Sequence, residues 1–292
     1  MIQIDPIIIG DNQFIGVSHL SQESGRAKME RFSDAREIAA VIEFTSGMGV
    51  NAITMSSHSK TREILKRIEE KDIGHINYYP LIPYVQEYVR IAGEKGTMGL
   101  LTDVLKSAST FAKSKILLKG GIGILKKDVF DLLGTLIDIE LLPFRGYPTR
   151  AVFLHNVLTD LALSIESEEI FRFYVEYITK KYGAIPGFST LNLARLVKTF
   201  YMWGITSPLV MAAINKVGFQ MNPSQDECES CLREYDVDVL AMSTLASGYL
   251  KPREAYEYVF SLPNVRSVAV GVSTREHAKE TIEIIHQYLP TH

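Results

Sequence analysis

The sequence predicts a (β/α)8 TIM barrel with a helical insertion between its third and fourth strands. Three observations predict it. Short β-rich runs alternate with helical segments almost throughout, the pattern of a parallel sheet wrapped by helices. Eight such runs occur, most of them followed by apolar residues at three- and four-residue spacing. The last fifth reads strand, tight turn, helix twice over, as VDVLAMSTLASGYL with KPREAYEYVFSL and then VRSVAVGVSTREHAKETIEII. A length of 292 residues, 46% of them hydrophobic, fits one barrel or two smaller domains. The repeats choose the barrel, with 1–292 expected to form a single domain.

In order, the predicted strands are Ile7 to Gly10, Asn51 to Met55, His75 to Leu81, Arg150 to His155, Ala184 to Phe188, Met211 to Gln220, Asp238 to Ser243 and Ser267 to Gly271. Helices are predicted over Ser33 to Met48, Thr61 to Lys71, Ser167 to Tyr182, Asn192 to Trp203 and Arg275 to Tyr288. Ser33 or Asp34, Thr61, Ser167, and Thr190 or Asn192 stand where helix caps are wanted. Nearly seventy residues separate the third and fourth strands. Within them, 97–145 carries apolar residues at helical spacing, broken at Gly120 and Gly121, which predicts two or three extra helices. Such an insertion serves to cover an active-site mouth or to make a homo-oligomer contact. Its lysines interrupt each apolar run, against a membrane hairpin.

Charge excludes other classes. The balance of 31 basic and 34 acidic residues, net −3, offers no broad footprint for nucleic acid or an anionic membrane. A small-molecule substrate fits better. The start, MIQIDPIIIGDNQF, lacks a basic stretch followed by a long apolar run, so a soluble, cytoplasmic protein is expected. The only cysteines, Cys228 and Cys231, lie one helical turn apart with no second ligand pair nearby, and are read as a pair on one helix face.

Chemistry is expected where strands end, because parallel barrels build their sites at that rim. Ser243 and Ser273 fall just past strand ends and beside helix starts, where phosphate is commonly held. In IIIGDNQFIGVSHLS, the polar residues Asp11, Asn12, Gln13 and His19 follow directly on an apolar strand. They form either a mouth cluster or a capping and turn network. His19, His58 and His155 all fall at predicted mouth positions. Together they would relay protons or, with Asp11, hold a zinc-like cation, although no tight metal motif such as HxH is present and no metal is assigned. The run INYYPLIPYVQEYV places Tyr78, Tyr79 and Tyr84 where they line a pocket or fill the rim.

The stretch MAAINKVGFQMNPSQDECESCLREYDVDVLAMSTLASGYL resembles the sixth strand, sixth helix and seventh strand of the aldo-keto reductases, and VRSVAVGVSTREHAKETI resembles their eighth strand and the helix that follows. Weaker similarity runs back through AIPGFSTLNLARL and AVFLHNV to GVNAITMSSHSKTREILKRI, so that roughly two thirds of the chain is covered in order. The resemblance implies a nicotinamide dinucleotide, NADP, bound without a Rossmann domain. It implies that Ser189 and Thr190 contact the nicotinamide carboxamide and that Ser243, Leu245 and Gly248 lie along the pyrophosphate. Gly271, Ser273 and Arg275 would surround the adenosine phosphate, where backbone donors and a guanidinium suit an anion.

The same family uses a tyrosine proton donor assisted by lysine, aspartate and histidine. Here His155 matches the histidine. Thr54 or Met55 stands near the expected aspartate, His58 near the tyrosine, and Tyr79 or Pro80 near the lysine. The expectation is therefore an NADP-linked oxidoreductase acting on a small carbonyl or phosphorylated metabolite through a replacement proton donor. Lys216, in INKVGF, stands where the family carries a glutamine near the nicotinamide, and also resembles the Schiff-base lysine of several class I aldolases. Facing inward, its amine would be desolvated and nucleophilic; shifted by one residue, it would point outward. A cofactor-independent lyase using Lys216, a metal-dependent enzyme and a non-catalytic binding barrel remain the alternatives.

Overall fold

In a computed structural model that describes residues 2–16, 22–84, 126–272 and 274–289, eight parallel strands close into one barrel in sequence order. They are β1 (Ile7–Gly10), β2 (Ala52–Ser56), β3 (Asn77–Ile82), β4 (Ala151–Leu154), β5 (Ile185–Thr190), β6 (Leu209–Ala213), β7 (Asp238–Met242) and β8 (Val265–Gly271). The described helices are α1 (Gln22–Arg31), α2 (Ala35–Ser46), α3 (Thr61–Glu70), α4 (Lys126–Leu141), α5 (Asn156–Ser164), α6 (Glu168–Tyr177), α7 (Leu193–Met202), α8 (Gln225–Glu234), α9 (Pro252–Ser261) and α10 (Arg275–His286). This is the (β/α)8 TIM barrel that the alternation predicts.

The strands read as apolar runs because both of their faces are buried. Ile8, Ala52, Tyr79, Ala151, Phe153, Leu209, Met211 and Leu240 fill the barrel interior. Their neighbours Ile7, Ile9, Ile53, Val152, Val210 and Val239 pack outward against the helices. At the amino-terminal end, Tyr79 donates its hydroxyl to Asp5 at 2.5 Å, and Ser267 donates to the Asp5 carbonyl at 2.6 Å. Asp238 receives Arg266 Nε and the Ile2 main-chain N–H, both at 2.8 Å. That face serves stability.

Gly187 on β5 lies against the Phe153 ring. A methyl there would lie 2.5 Å from Cε1 of Phe153. Gly187→Ala should therefore cost about 1–3 kcal/mol by overpacking. The expected readout is a fall in Tm of several degrees; an unchanged Tm would mean that the Phe153 ring swings aside freely.

Several predicted boundaries shift. The sixth strand stops at Ala213 rather than running to Gln220, because Asn215 closes a turn with both its amide groups, to Phe219 N and Phe219 O at 2.8 Å each. Asp34 caps α2 as expected, its Oδ1 accepting from Arg36 N at 2.8 Å. Thr61 does not cap α3: it lies inside the helix and donates to the Ser56 carbonyl at 2.7 Å, tying the helix to the end of β2. The helix predicted over 167–182 is α6 followed by a π-helical turn, Ile178–Tyr182.

Of the predicted insertion, 97–125 lies outside the described residues, and the remainder forms α4 and a short turn at Leu142–Phe144. Asp138 fastens α4 to the outer helices by accepting from Tyr177 at 2.8 Å, Tyr182 at 2.6 Å and Lys181 at 2.5 Å. Among the described residues, no helix is long and apolar enough to cross a membrane.

Candidate active site

The inward faces of the strands become polar toward their carboxyl ends. On β2, Thr54 and Ser56 follow Ala52; on β5, Ser189 follows Gly187; beyond β4, His155 continues the inward alternation from Phe153. β1 ends at Gly10, which lies level with Thr54 on one side and Gly271 on the other. The chain then makes a single 3-10 turn, Asp11–Gln13, that folds two polar side chains over the rim.

Asp11 is buried, and its Oδ2 accepts from Ser56 N at 2.6 Å. Burial raises its pKa to about 6, although the Ser56 hydrogen bonds pull the other way. The carboxylate thus comes from β1 and closes over the end of β2.

The two histidines are built alike. His58 Nδ1 accepts from Lys60 N at 3.1 Å, and His155 Nδ1 accepts from Val157 N at 3.3 Å as the cap of α5. Burial lowers the pKa of His58 to about 4 and also lowers that of His155, the latter opposed by Asp160. Both rings are therefore neutral at pH 7. With Nδ1 occupied as an acceptor, each carries its proton on Nε2 and presents an N–H donor. The His58 ring packs edge-on against Tyr84, with ring centroids 5.9 Å apart.

Sequence reading misses one carboxylate. Glu140, on α4, is buried and accepts from the Ser57 hydroxyl and from Tyr84 N at 3.0 Å, so the described helix of the insertion reaches the ends of β2 and β3. The signal was present: Glu140 shares a helical face with Ile137 and Leu141, where an acidic residue has no packing role.

Three buried polar atoms here have no hydrogen-bond partner among the described residues: Gln13 Oε1, Thr54 Oγ1 and His58 Nε2. Each such group costs about 1–3 kcal/mol when left unsatisfied. All three belong to the β1–β2 side of the rim.

The remaining predicted positions divide. His19 and Ser273 lie outside the described residues. Lys216 does not face the interior. It stands in the turn beyond β6, half exposed and paired with Glu254 at 2.8 Å, and that hydrogen bond raises its pKa where a Schiff-base amine needs it lowered. Ser189 is buried on the inner side of β5, whereas Thr190 turns outward to donate to Asp160 and accept from Asn192 N at 2.9 Å. Gly271 is exposed, and a methyl there would meet the Gln13 side chain at 3.3 Å.

Ser243, Leu245 and Gly248 lie in the loop after β7. Ser243, Ala246 and Ser247 all have positive φ, as does Gln220 in the loop after β6, and Ser243 Oγ reaches Gln220 Oε1 at 3.5 Å. Arg275 opens α10 with its guanidinium over the Phe44 ring at 5.6 Å, and shares a polar cleft of about 260 Å³ with Arg31, Glu37 and Glu276. Tyr79 spends its hydroxyl at the opposite end of the barrel, and Tyr78 packs outward against Tyr147, so neither supplies a phenol to the mouth. The inward residues of β3 are Tyr79 and Leu81.

Cys228 and Cys231 are buried residues of α8 outside any disulfide, with burial raising their pKa values to about 11 and about 12. Burial thus disfavours the thiolate that reactivity requires. Among the described residues, no group of three or more His, Cys, Asp or Glu side chains is gathered to hold a metal.

The fold is similar to that of solved aldo-keto reductases. Two solved structures from Pseudomonas aeruginosa, each provisionally named an aldo-keto reductase, align over 98% of this chain. One is 15% identical with a TM-score of 0.60 over 91% of its length; the other is 16% identical with a TM-score of 0.61 over 92%. The holo form of an aldo-keto reductase from Bacillus halodurans aligns with 86% of this chain and 82% of its own, at 12% identity and a TM-score of 0.53. At such identities the likeness is one of fold. No family model and no curated protein matches the chain.

Proposed function

We propose that this barrel is an NADP(H)-linked oxidoreductase acting on a small carbonyl or phosphorylated metabolite, with His155 polarising the carbonyl and a proton donor other than tyrosine. The observation that carries the reading is the His155 ring, held at the rim of an aldo-keto-reductase-like barrel as a neutral Nε2–H donor. Such a donor suits an oxygen on which negative charge develops.

The residues on the β5–β8 side fit a dinucleotide. Four non-glycine residues in the two adjoining loops, Gln220, Ser243, Ala246 and Ser247, hold left-handed backbone at about 1–3 kcal/mol each, strain that typically persists where a loop is shaped for a ligand. Ser189 would meet the nicotinamide end, Ser243 and Gly248 the pyrophosphate, and Arg275 with the start of α10 the adenosine phosphate. When bound, NADP(H) supplies or accepts the hydride. The chain's own residues orient the substrate and move the proton: His155 and His58 donate hydrogen bonds, and Asp11 holds a carboxyl group that exchanges its proton near neutrality.

NADPH should raise the Tm of the purified protein by several degrees, since a ligand at a hundredfold excess over Kd adds about 2.7 kcal/mol. No change at millimolar NADPH, with NADH equally without effect, would end this reading. A lyase built on Lys216 loses its basis in the Glu254 ion pair. A binding barrel without turnover is favoured by the missing tyrosine and lysine, and the His155 variant below separates it from an enzyme.

A further inference from the structure

β4 and β5 pair in parallel as far as Leu154 and Phe188, and the next residue on each chain is His155 and Ser189. Both side chains continue the inward alternation of their strands, so they stand as neighbours at the mouth. On this side the ladder ends there. Beyond it β5 keeps a strand neighbour only in β6, as far as Thr190 and Ala212. The direction in which the chain leaves Ser189 is therefore set by side chains.

Asp160 supplies the main one. It lies on α5, the helix that His155 caps, and it is half-buried on the face toward β5. Its Oδ1 accepts from the Thr190 hydroxyl at 2.5 Å and its Oδ2 from Leu191 N at 3.0 Å. Both carboxylate oxygens are thus spent on the residues that directly follow Ser189, and charge-assisted bonds of this kind are the strong ones. Thr190 passes the constraint on, because its Oγ1 accepts from Asn192 N at 2.9 Å. Asn192 itself makes no side-chain cap bond to α7. From the opposite side Asn222, in the loop after β6, donates its Nδ2 to the Leu191 carbonyl at 3.0 Å. The Asp160 carboxylate also acts on the His155 ring, opposing the effect of burial. One side chain bears on both residues.

We propose that Asp160 is a positioning residue: by clamping the exit turn of β5 to α5, it fixes Ser189 beside His155. The inference rests on the roles given to Ser189 and His155 above, whereas the clamp itself does not depend on them.

Asp160→Ala tests it in two measurements. In the free protein, hydrogen exchange read by mass spectrometry should quicken about tenfold over 189–192, a local loss of protection, and stay unchanged over β4 and the last turn of α7. Binding is then compared for NADPH and for 2′,5′-ADP, which keeps the adenosine phosphates but lacks the nicotinamide. NADPH should bind about tenfold more weakly, while the affinity for 2′,5′-ADP changes by less than about twofold. In a Ser189→Ala background the same substitution should cost NADPH nothing further, because Asp160 acts through Ser189. Asp160→Asn, a milder change that keeps one acceptor for the turn, should show the same pattern at smaller size.

Equal effects on the two nucleotides overturn the positioning role, as do fully additive losses with Ser189→Ala. Unchanged exchange over 189–192 overturns it whether or not NADPH binds. If exchange quickens as expected but the wild-type protein binds neither nucleotide, the oxidoreductase reading fails and the clamp on Ser189 stands.

Discussion

His155→Ala is expected to lower kcat by about a hundred- to ten-thousandfold while leaving NADPH affinity unchanged. The range is the usual contribution of a single positioned donor or general acid. His155 directly follows β4, across the barrel from the β7 loop and the α10 start that would hold the phosphates of the dinucleotide, so its loss should leave most of the cofactor's binding contacts in place. The substitution also removes the cap on Val157 N, at a cost of about 1 kcal/mol to α5. His155→Asn, whose side-chain oxygen can still accept from Val157 N, controls for that: it should recover the lost Tm without recovering kcat. Lost affinity for a carbonyl ligand, with no turnover in either protein, would instead identify a binding barrel. Full activity in His155→Ala would remove this residue from the chemistry.

Much of the barrel was legible because a strand buried on both faces must be apolar throughout, and eight such runs stand out between amphipathic helices. The sixth strand was misread because INKVGF continues an apolar alternation past Ala213, although Asn215 and Gly218 carry turn chemistry. That error decided the reading of Lys216, since its inward direction existed only if the strand ran on. The positions of His58, His155 and Asp11 at the rim followed from strand ends. Their protonation did not, because it depends on the main-chain N–H that each side chain receives and on how deeply each is buried. Thr190 shows the same limit from the other side. A polar residue at a strand end faces the mouth or the helix layer according to register, and Asp160 on α5 claimed this one.

Lowering the pH from 7 to 4 should reveal two opposed titrations that nearly cancel in the wild-type protein. His58 has a folded pKa of about 4 against an ordinary 6.5, so between these values the unfolded chain takes up a proton that the folded chain refuses, and stability falls. Asp11 has a folded pKa of about 6 against an ordinary 3.8, so its contribution is complete below 3.8 and is lost as pH rises through 6. Each shift corresponds to about 3 kcal/mol, with opposite signs over the shared window between about pH 4 and pH 6. Asp11→Asn removes the compensating group and should lose about 3 kcal/mol relative to wild type between pH 6.5 and pH 4. His58→Gln should gain a similar amount over the same range. Urea midpoints at pH 7, 5.5 and 4, compared with wild type at each pH, cancel the contributions of the other carboxylates. Three parallel curves would show that neither group is buried as described. Divergent curves would establish that, between pH 4 and pH 6, neither Asp11 nor His58 carries a charge.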